Sequence, residues 1–125
     1  MKQFEKFDFE NLRVWQKAIS FAQQVLDISE NLNTDRKHFR LVEQLESACT
    51  SVAMNIAEGK GRFSKKEYVQ FLYYARGSLN EVITLLIIFS QRSWIKNEQL
   101  TKIKSSSIEL AKMLNALIRS IKIQS

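Results

Sequence analysis

The chain has 125 residues, 45% of them hydrophobic, with no Pro, three Gly, one Cys and a formal net charge of +6. That is enough for one domain, residues 1–125, with a real core; it excludes an internal disulfide and argues against a turn-rich β fold. A sequence pI near 9.6 suits an acidic partner, with nucleic acid first.

The spacing of apolar residues predicts four helices. The first spans about 9–31, with Asp8 as N-cap and Phe7 and Leu12 as a hydrophobic staple. Leu12, Trp15, Ile19, Ala22 and Leu26 recur at helical intervals, and Val14, Ala18, Phe21, Val25 and Ile28 form a second row beside them. An apolar face that wide exceeds what one neighbour covers. The second helix is predicted over about 36–58, capped from Asn33, Thr34 or Asp35, with Leu41, Leu45, Ala48, Val52 and Ile56 as its stripe. Gly59-Lys60-Gly61-Arg62 ends it, glycine supplying a left-handed C-terminal residue. Ser64-Lys65-Lys66-Glu67 reads as a capping box opening a third helix over about 65–92, with Phe63 and Tyr68 as staple. Within it Gly77 interrupts an apolar stripe, at a cost of about 1 kcal/mol relative to Ala; close approach of another backbone would offset that cost. Asn97 caps a fourth helix over about 98–122, in which Leu100, Ile103, Leu110, Leu114, Leu117 and Ile121 keep heptad spacing and Ser107 fills the vacant slot.

Four long helices with short links imply an all-α fold, an antiparallel up-down-up-down four-helix bundle. The wide apolar faces imply burial in a homo-oligomer. The polar start Met1-Lys2-Gln3-Phe4-Glu5-Lys6 is no signal peptide, and the longest apolar run, Leu85 to Phe89, is too short to cross a bilayer. The expectation is a soluble cytoplasmic protein.

Catalytic chemistry has little to stand on. One His and one Cys leave no metal site, and no cofactor motif is present. His38, in Arg36-Lys37-His38-Phe39-Arg40, reads as a surface residue of a basic cluster. It lacks the Arg four to six positions earlier that some helical ribonucleases carry, since residues 31–34 are Asn31, Leu32, Asn33 and Thr34. Glu58 and Glu81 fit structural roles, pairing with Asn55, Asn80, Ser78 or Arg76, better than acid/base work. The basic residues form two groups. Lys60, Arg62, Lys65, Lys66 and Arg76 surround the second link, which is either a simple helix end or a phosphate-holding loop. Lys96, Lys102, Lys104, Lys112, Arg119 and Lys122 decorate the fourth helix, as a solvated face or as a phosphate-binding surface. Residues 1–62 carry nine Lys/Arg and nine Asp/Glu while residues 63–125 carry ten and four, so the whole positive excess lies in the second half.

Several motifs together carry a resemblance. They are Phe9-Glu10-Asn11-Leu12-Arg13-Val14-Trp15-Gln16-Lys17-Ala18, Leu41-Val42-Glu43-Gln44-Leu45, Ser51 to Gly59 with its Asn-Ile-Ala-Glu-Gly, and Ala75 to Glu81 with its Gly-Ser-x-x-Glu. The chain resembles the small helical proteins encoded in intervening sequences of bacterial 23S ribosomal RNA genes, once labelled S23 ribosomal proteins. That family is similar in turn to the accessory variability determinant proteins of diversity-generating retroelements. The resemblance implies a four-helix bundle in a homopentameric ring, with RNA or DNA and a reverse transcriptase or another protein as partners. It marks Asn55, Glu58, Gly59, Gly77, Ser78 and Glu81 as signature positions. Two departures stand out: Ala53 replaces a frequent Pro, and Glu46 and Ser47 follow Leu45 where the family often has Arg. The function expected is a non-enzymatic oligomer that binds RNA or DNA through basic surfaces, as a ribonucleoprotein or retroelement accessory; the alternative is a protein-interaction scaffold without nucleic acid.

Overall fold

The computed structural model describes residues 5–124. Met1–Phe4, read above as part of a polar start, lie outside them, as does Ser125. Among the described residues there are four α-helices and no strand. They are α1 (Arg13–Ser29), α2 (Phe39–Lys60), α3 (Lys65–Gln91) and α4 (Asn97–Ile123), with a 3-10 turn at Asp8–Asn11 before α1. Consecutive helices pack against one another, and α1 also packs against α4. Phe21, Leu45, Ile56, Leu72, Leu79, Leu86, Phe89, Leu110 and Leu114 are fully buried between them. Each such side chain contributes about 1.5–3 kcal/mol of burial. Ser107 is buried in the vacant heptad slot of α4, and below it Ile118, not Leu117, takes the core position. No helix among the described residues is long and apolar enough to cross a membrane.

Helix ends differ from the sequence expectation in ways that have local causes. The first helix does not start at Phe9. Glu10 accepts the Phe7 backbone N–H at 2.8 Å, and its own carbonyl accepts from Gln16 Nε2 at 2.8 Å, which holds a separate turn. Leu12 is extended (φ −76°, ψ 123°) and precedes α1, so Asp8 is not its cap. Phe7 stacks on Phe9 at 5.5 Å and is exposed, so there is no staple to Leu12. The second helix begins at Phe39, not near Arg36. Thr34 Oγ1 accepts the Arg36 N–H at 3.3 Å and lies 3.1 Å from His38 Nε2, keeping residues 34–38 in a turn. Ser64 caps α3 through the Glu67 N–H at 3.2 Å. Phe63, however, is fully exposed, and Glu67 turns its carboxylate to Arg62, so the staple and the return half of the box are missing. Lys96, one residue before Asn97, precedes α4, and Gln99 Oε1 accepts its N–H at 2.8 Å.

The left-handed residue expected at a glycine is found elsewhere. Gly61 ends α2 in a right-handed conformation (φ −81°). Among the described residues Ser93, after α3, is the non-glycine residue with positive φ, at 63°. Its N–H donates to Ser90 O at 3.0 Å and the Trp94 N–H donates to Phe89 O at 2.9 Å, the pair of bonds that closes a Schellman motif. The accompanying apolar contact is Phe89 on Trp94, ring centroids 5.0 Å apart. Trp94 then reaches the other link. His38 stacks on its indole at 3.9 Å and 20°, and the Asn33 N–H donates to Trp94 O at 2.8 Å. His38 is therefore a half-buried ring in a clasp between two links, not a surface residue of a basic cluster.

Candidate nucleic-acid interface

Lys104, Ile108, Lys112, Asn115, Arg119 and Lys122 recur at steps of four, four, three, four and three residues, which places them on one face of α4. Two of them locate that face beside α3. Asn115 Oδ1 accepts from Arg76 Nη1 at 2.8 Å, and Lys122 Nζ donates to Tyr73 OH at 2.6 Å. The Tyr73 ring carries both cations, Arg76 at 4.8 Å and Lys122 at 5.3 Å from its centroid. Lys65, at the start of α3, donates to Gln124 O at 2.7 Å. Arg76 and the start of α3 thus join the α4 face in one basic seam. From Lys104 to Lys122 it runs about 27 Å at a rise of 1.5 Å per residue.

Three carboxylates of α3 and α4, Glu67, Glu98 and Glu109, fall off this seam. Glu67 lies 3.9 Å from Arg62, and Glu109 pairs with Lys17 of α1 at 3.0 Å. Glu98 and Glu109 follow the side of α4 that bears Lys102, so Lys102 does not share a face with Lys104 and Lys112. At the foot of the seam is a cavity of about 350 Å³ lined by Lys65, Lys66, Val69, Gln70, Tyr73, Ile121 and Lys122.

The second link is organised differently. Arg62 lies 3.7 Å from Glu58 and 3.9 Å from Glu67, and its guanidinium sits 4.7 Å over the Phe71 ring. Its charge is directed to those neighbours, whereas Lys60, Lys65 and Lys66 are exposed.

The six signature positions do not share one role. Ser51 and Ser78 hydroxyls are 2.9 Å apart, and Asn55 Nδ2 donates to Ser51 O and Oγ, each at 2.9 Å. This short network joins α2 to α3. Gly59 is buried under α3, where an added Cβ would meet Phe71 Cβ at 2.9 Å and Tyr68 O at 3.2 Å. Glu58 and Glu81, by contrast, are exposed, and Glu58 pairs with Arg62 rather than with Asn55 or Ser78. They are not buried register-setting groups within this chain. Around Gly77 a Cβ would find nothing within 4 Å, so no neighbour among the described residues explains that glycine. Ala53 is buried inside an unbroken α2, and Glu46 Oε2 lies 3.4 Å from Ser29 Oγ. Cys49 is fully buried, and burial, with the Glu46 charge adding to it, pushes its thiol up to about 11. Among the described residues no three of His, Cys, Asp and Glu gather in a metal-binding group.

Tyr73, Gln70 and the full extent of the seam were not singled out from sequence. The four- and three-residue steps of α4 were a readable signal, but its alignment with Arg76 depends on how two helices pack.

Fold and seam together define a small four-helix all-α protein with a basic face. The family described as 23S rRNA-intervening sequence protein matches residues 10–116, and the chain belongs to that family. It is also similar to a solved structure from Bacteroides thetaiotaomicron, a protein of unknown function from the S23 ribosomal protein family. The two share 27% identity over 84% of this chain and 97% of that one, with a TM-score of 0.78. No curated protein matches the chain.

Proposed function

We propose that this protein is a non-enzymatic, homo-oligomeric helical bundle that binds RNA or DNA through the phosphate backbone. The observation that carries the reading is the seam: Lys65, Lys66, Arg76, Lys104, Lys112, Arg119 and Lys122 follow one face of the α3–α4 pair, away from Glu67 and Glu109, which pair elsewhere. Such a face holds phosphates without reading bases. The antiparallel arrangement is supported by the pairing of positions: Lys65 with Gln124, Tyr73 with Lys122 and Arg76 with Asn115, one rising as the other falls. Self-association is supported by the outer face of α3, where Tyr74 and Ile88 are exposed on the same side as the uncovered Gly77. A ring of several copies would repeat the seam around its surface.

The test is a binding titration of single-stranded and duplex RNA at several salt concentrations. Neutralising about five phosphates gives a slope near −3.5 for single strands, so raising salt from about 50 to 200 mM weakens binding roughly 100-fold. The double substitution Lys104→Gln with Lys112→Gln lowers that slope by about 1.4, and Lys102→Gln leaves it unchanged. Salt-independent binding, or an equal effect from Lys102→Gln, refutes the seam.

A further inference from the structure

We propose that Phe63 stacks on an unpaired base, which makes single-stranded RNA or DNA the form of nucleic acid this protein prefers. The inference rests on the proposed binding to nucleic acid and narrows it. Phe63 has a relative exposure of 108%, so the fold does not cover its ring. Its backbone, by contrast, is fixed on both sides. The Arg62 N–H donates to Gly59 O at 3.1 Å, and the Arg62 guanidinium lies 4.7 Å over the Phe71 ring and 3.7 Å from Glu58. On the other side Ser64 caps α3: its Oγ accepts the Glu67 N–H at 3.2 Å and its carbonyl accepts the Tyr68 N–H at 3.0 Å. The ring is therefore presented from an ordered link.

One exposed apolar side chain means little alone, since folded chains carry many. The charge around Phe63 is what names a ligand. Lys60, Arg62, Lys65 and Lys66 lie within three residues of it, and residues 60–66 hold no carboxylate. The flanking Glu58 and Glu67 both face Arg62. Lys65 donates to Gln124 O at 2.7 Å, so the seam ends two residues from Phe63, no more than about 7 Å along the chain. An aromatic ring beside a track of cations is the combination that holds single strands: the cations take phosphates and the ring takes a base. Every base has a π-face, so such a stack is tolerant of sequence. A duplex gains nothing from it, because its bases are already stacked and parting a step costs as much as the new stack returns. A second copy of this chain carries the same +6 and is repelled by so basic a link.

The test is fluorescence anisotropy at several salt concentrations, with an oligouridine and with a long RNA duplex in which ends are few. Phe63→Ala is expected to weaken oligouridine binding about tenfold, within the range of about 5- to 150-fold that removal of one stacking aromatic produces. Phe63→Trp keeps the affinity, Phe63→Leu loses it as Ala does, and every variant binds the duplex as wild type does. The salt slope stays the same, because no charge is removed. Phe39→Ala, at another exposed phenylalanine whose cavity includes Glu30 and no residue of the seam, leaves both ligands unaffected. Urea unfolding of Phe63→Ala should match wild type, since the ring covers nothing. Unchanged oligouridine affinity in Phe63→Ala, or full affinity in Phe63→Leu, overturns the stack, while salt-dependent binding in the same titrations keeps the seam. A tenfold loss in Phe63→Ala with no effect of the Lys104→Gln and Lys112→Gln pair keeps the stack and removes the seam. Wild type that binds neither ligand overturns both. A lower solution mass for Phe63→Ala with unchanged oligouridine binding makes the ring a contact between copies, and overturns the proposal as well.

Discussion

Gly59→Ala and Gly77→Ala are the same chemical change in two helices, and the structure gives them opposite signs. Both remove a glycine from a helix, which favours the folded state by about 1 kcal/mol. At Gly77 nothing opposes that gain, because a Cβ meets no atom within 4 Å. At Gly59 the Cβ lands 2.9 Å from Phe71 Cβ, 3.0 Å from Tyr68 Cδ1 and 3.2 Å from the Tyr68 carbonyl. Comfortable carbon contacts lie near 3.5–4.0 Å, so α2 and α3 must separate by more than half an ångström. Two of those three atoms are backbone or directly attached to it and cannot swing away. Overpacking of this kind costs about 1–3 kcal/mol, leaving Gly59→Ala destabilised by up to about 2 kcal/mol and Gly77→Ala stabilised by about 1 kcal/mol. Urea unfolding followed by circular dichroism at low protein concentration, where single chains dominate, reads both. Equal shifts for the two variants would refute the packing account. The same Gly77→Ala protein also tests the outer face of α3: light scattering at high concentration should show a smaller mass than wild type if another backbone approaches there.

Other expectations follow from the clasp and the core. His38→Ala removes the ring stacked on Trp94 and should cost about 1 kcal/mol, lowering the melting temperature by about 4 °C; an unchanged melt would show that the stack carries no weight. Ser93→Gly relieves a left-handed serine and should stabilise by up to about 1 kcal/mol, read in the same melt, with a loss of stability contradicting the Schellman assignment. The Cys49 thiol ionises near 9 when unfolded and is pushed up to about 11 when folded, by burial first. The folded pKa is the higher one, so its contribution is fully present below about pH 9 and is lost as pH rises towards 11, at up to about 1.4 kcal/mol per pH unit. Cys49→Ala should flatten that fall in unfolding experiments between pH 8 and pH 10.5; parallel profiles for the two proteins would rule the thiol out as its source.

The helices themselves were legible because their signal is local. Apolar residues three and four apart placed all four, and Ser107 was correctly given to the vacant core slot of α4. Part of what escaped was set by contacts distant in sequence and part by competition between near neighbours. Thr34 and His38 would have allowed an earlier start for α2, had Trp94 not drawn His38 into a stack. Glu67 fits the return half of a capping box, but Arg62 offers it a cation. Glu58 and Glu81 share a motif with buried residues, yet both are exposed in the packed chain. For the seam, the α4 spacing was visible, whereas the separation of Lys102 from Lys104 and Lys112 required counting around the helix. The joining of Arg76 and Tyr73 to that stripe required the packed structure.

The clasp between His38, Asn33 and Trp94 also has a kinetic meaning. Its hydrogen bonds join positions some 60 residues apart, with the whole of α2 and α3 in between. Contacts within each helix and between sequence neighbours close short loops and form early, whereas a closure of that length waits until the intervening helices have packed. The clasp should therefore be nearly absent from the folding transition state. Weakening it at His38 should speed unfolding while leaving the folding rate almost unchanged, which makes this end of the molecule the latch that sets how long the folded chain persists.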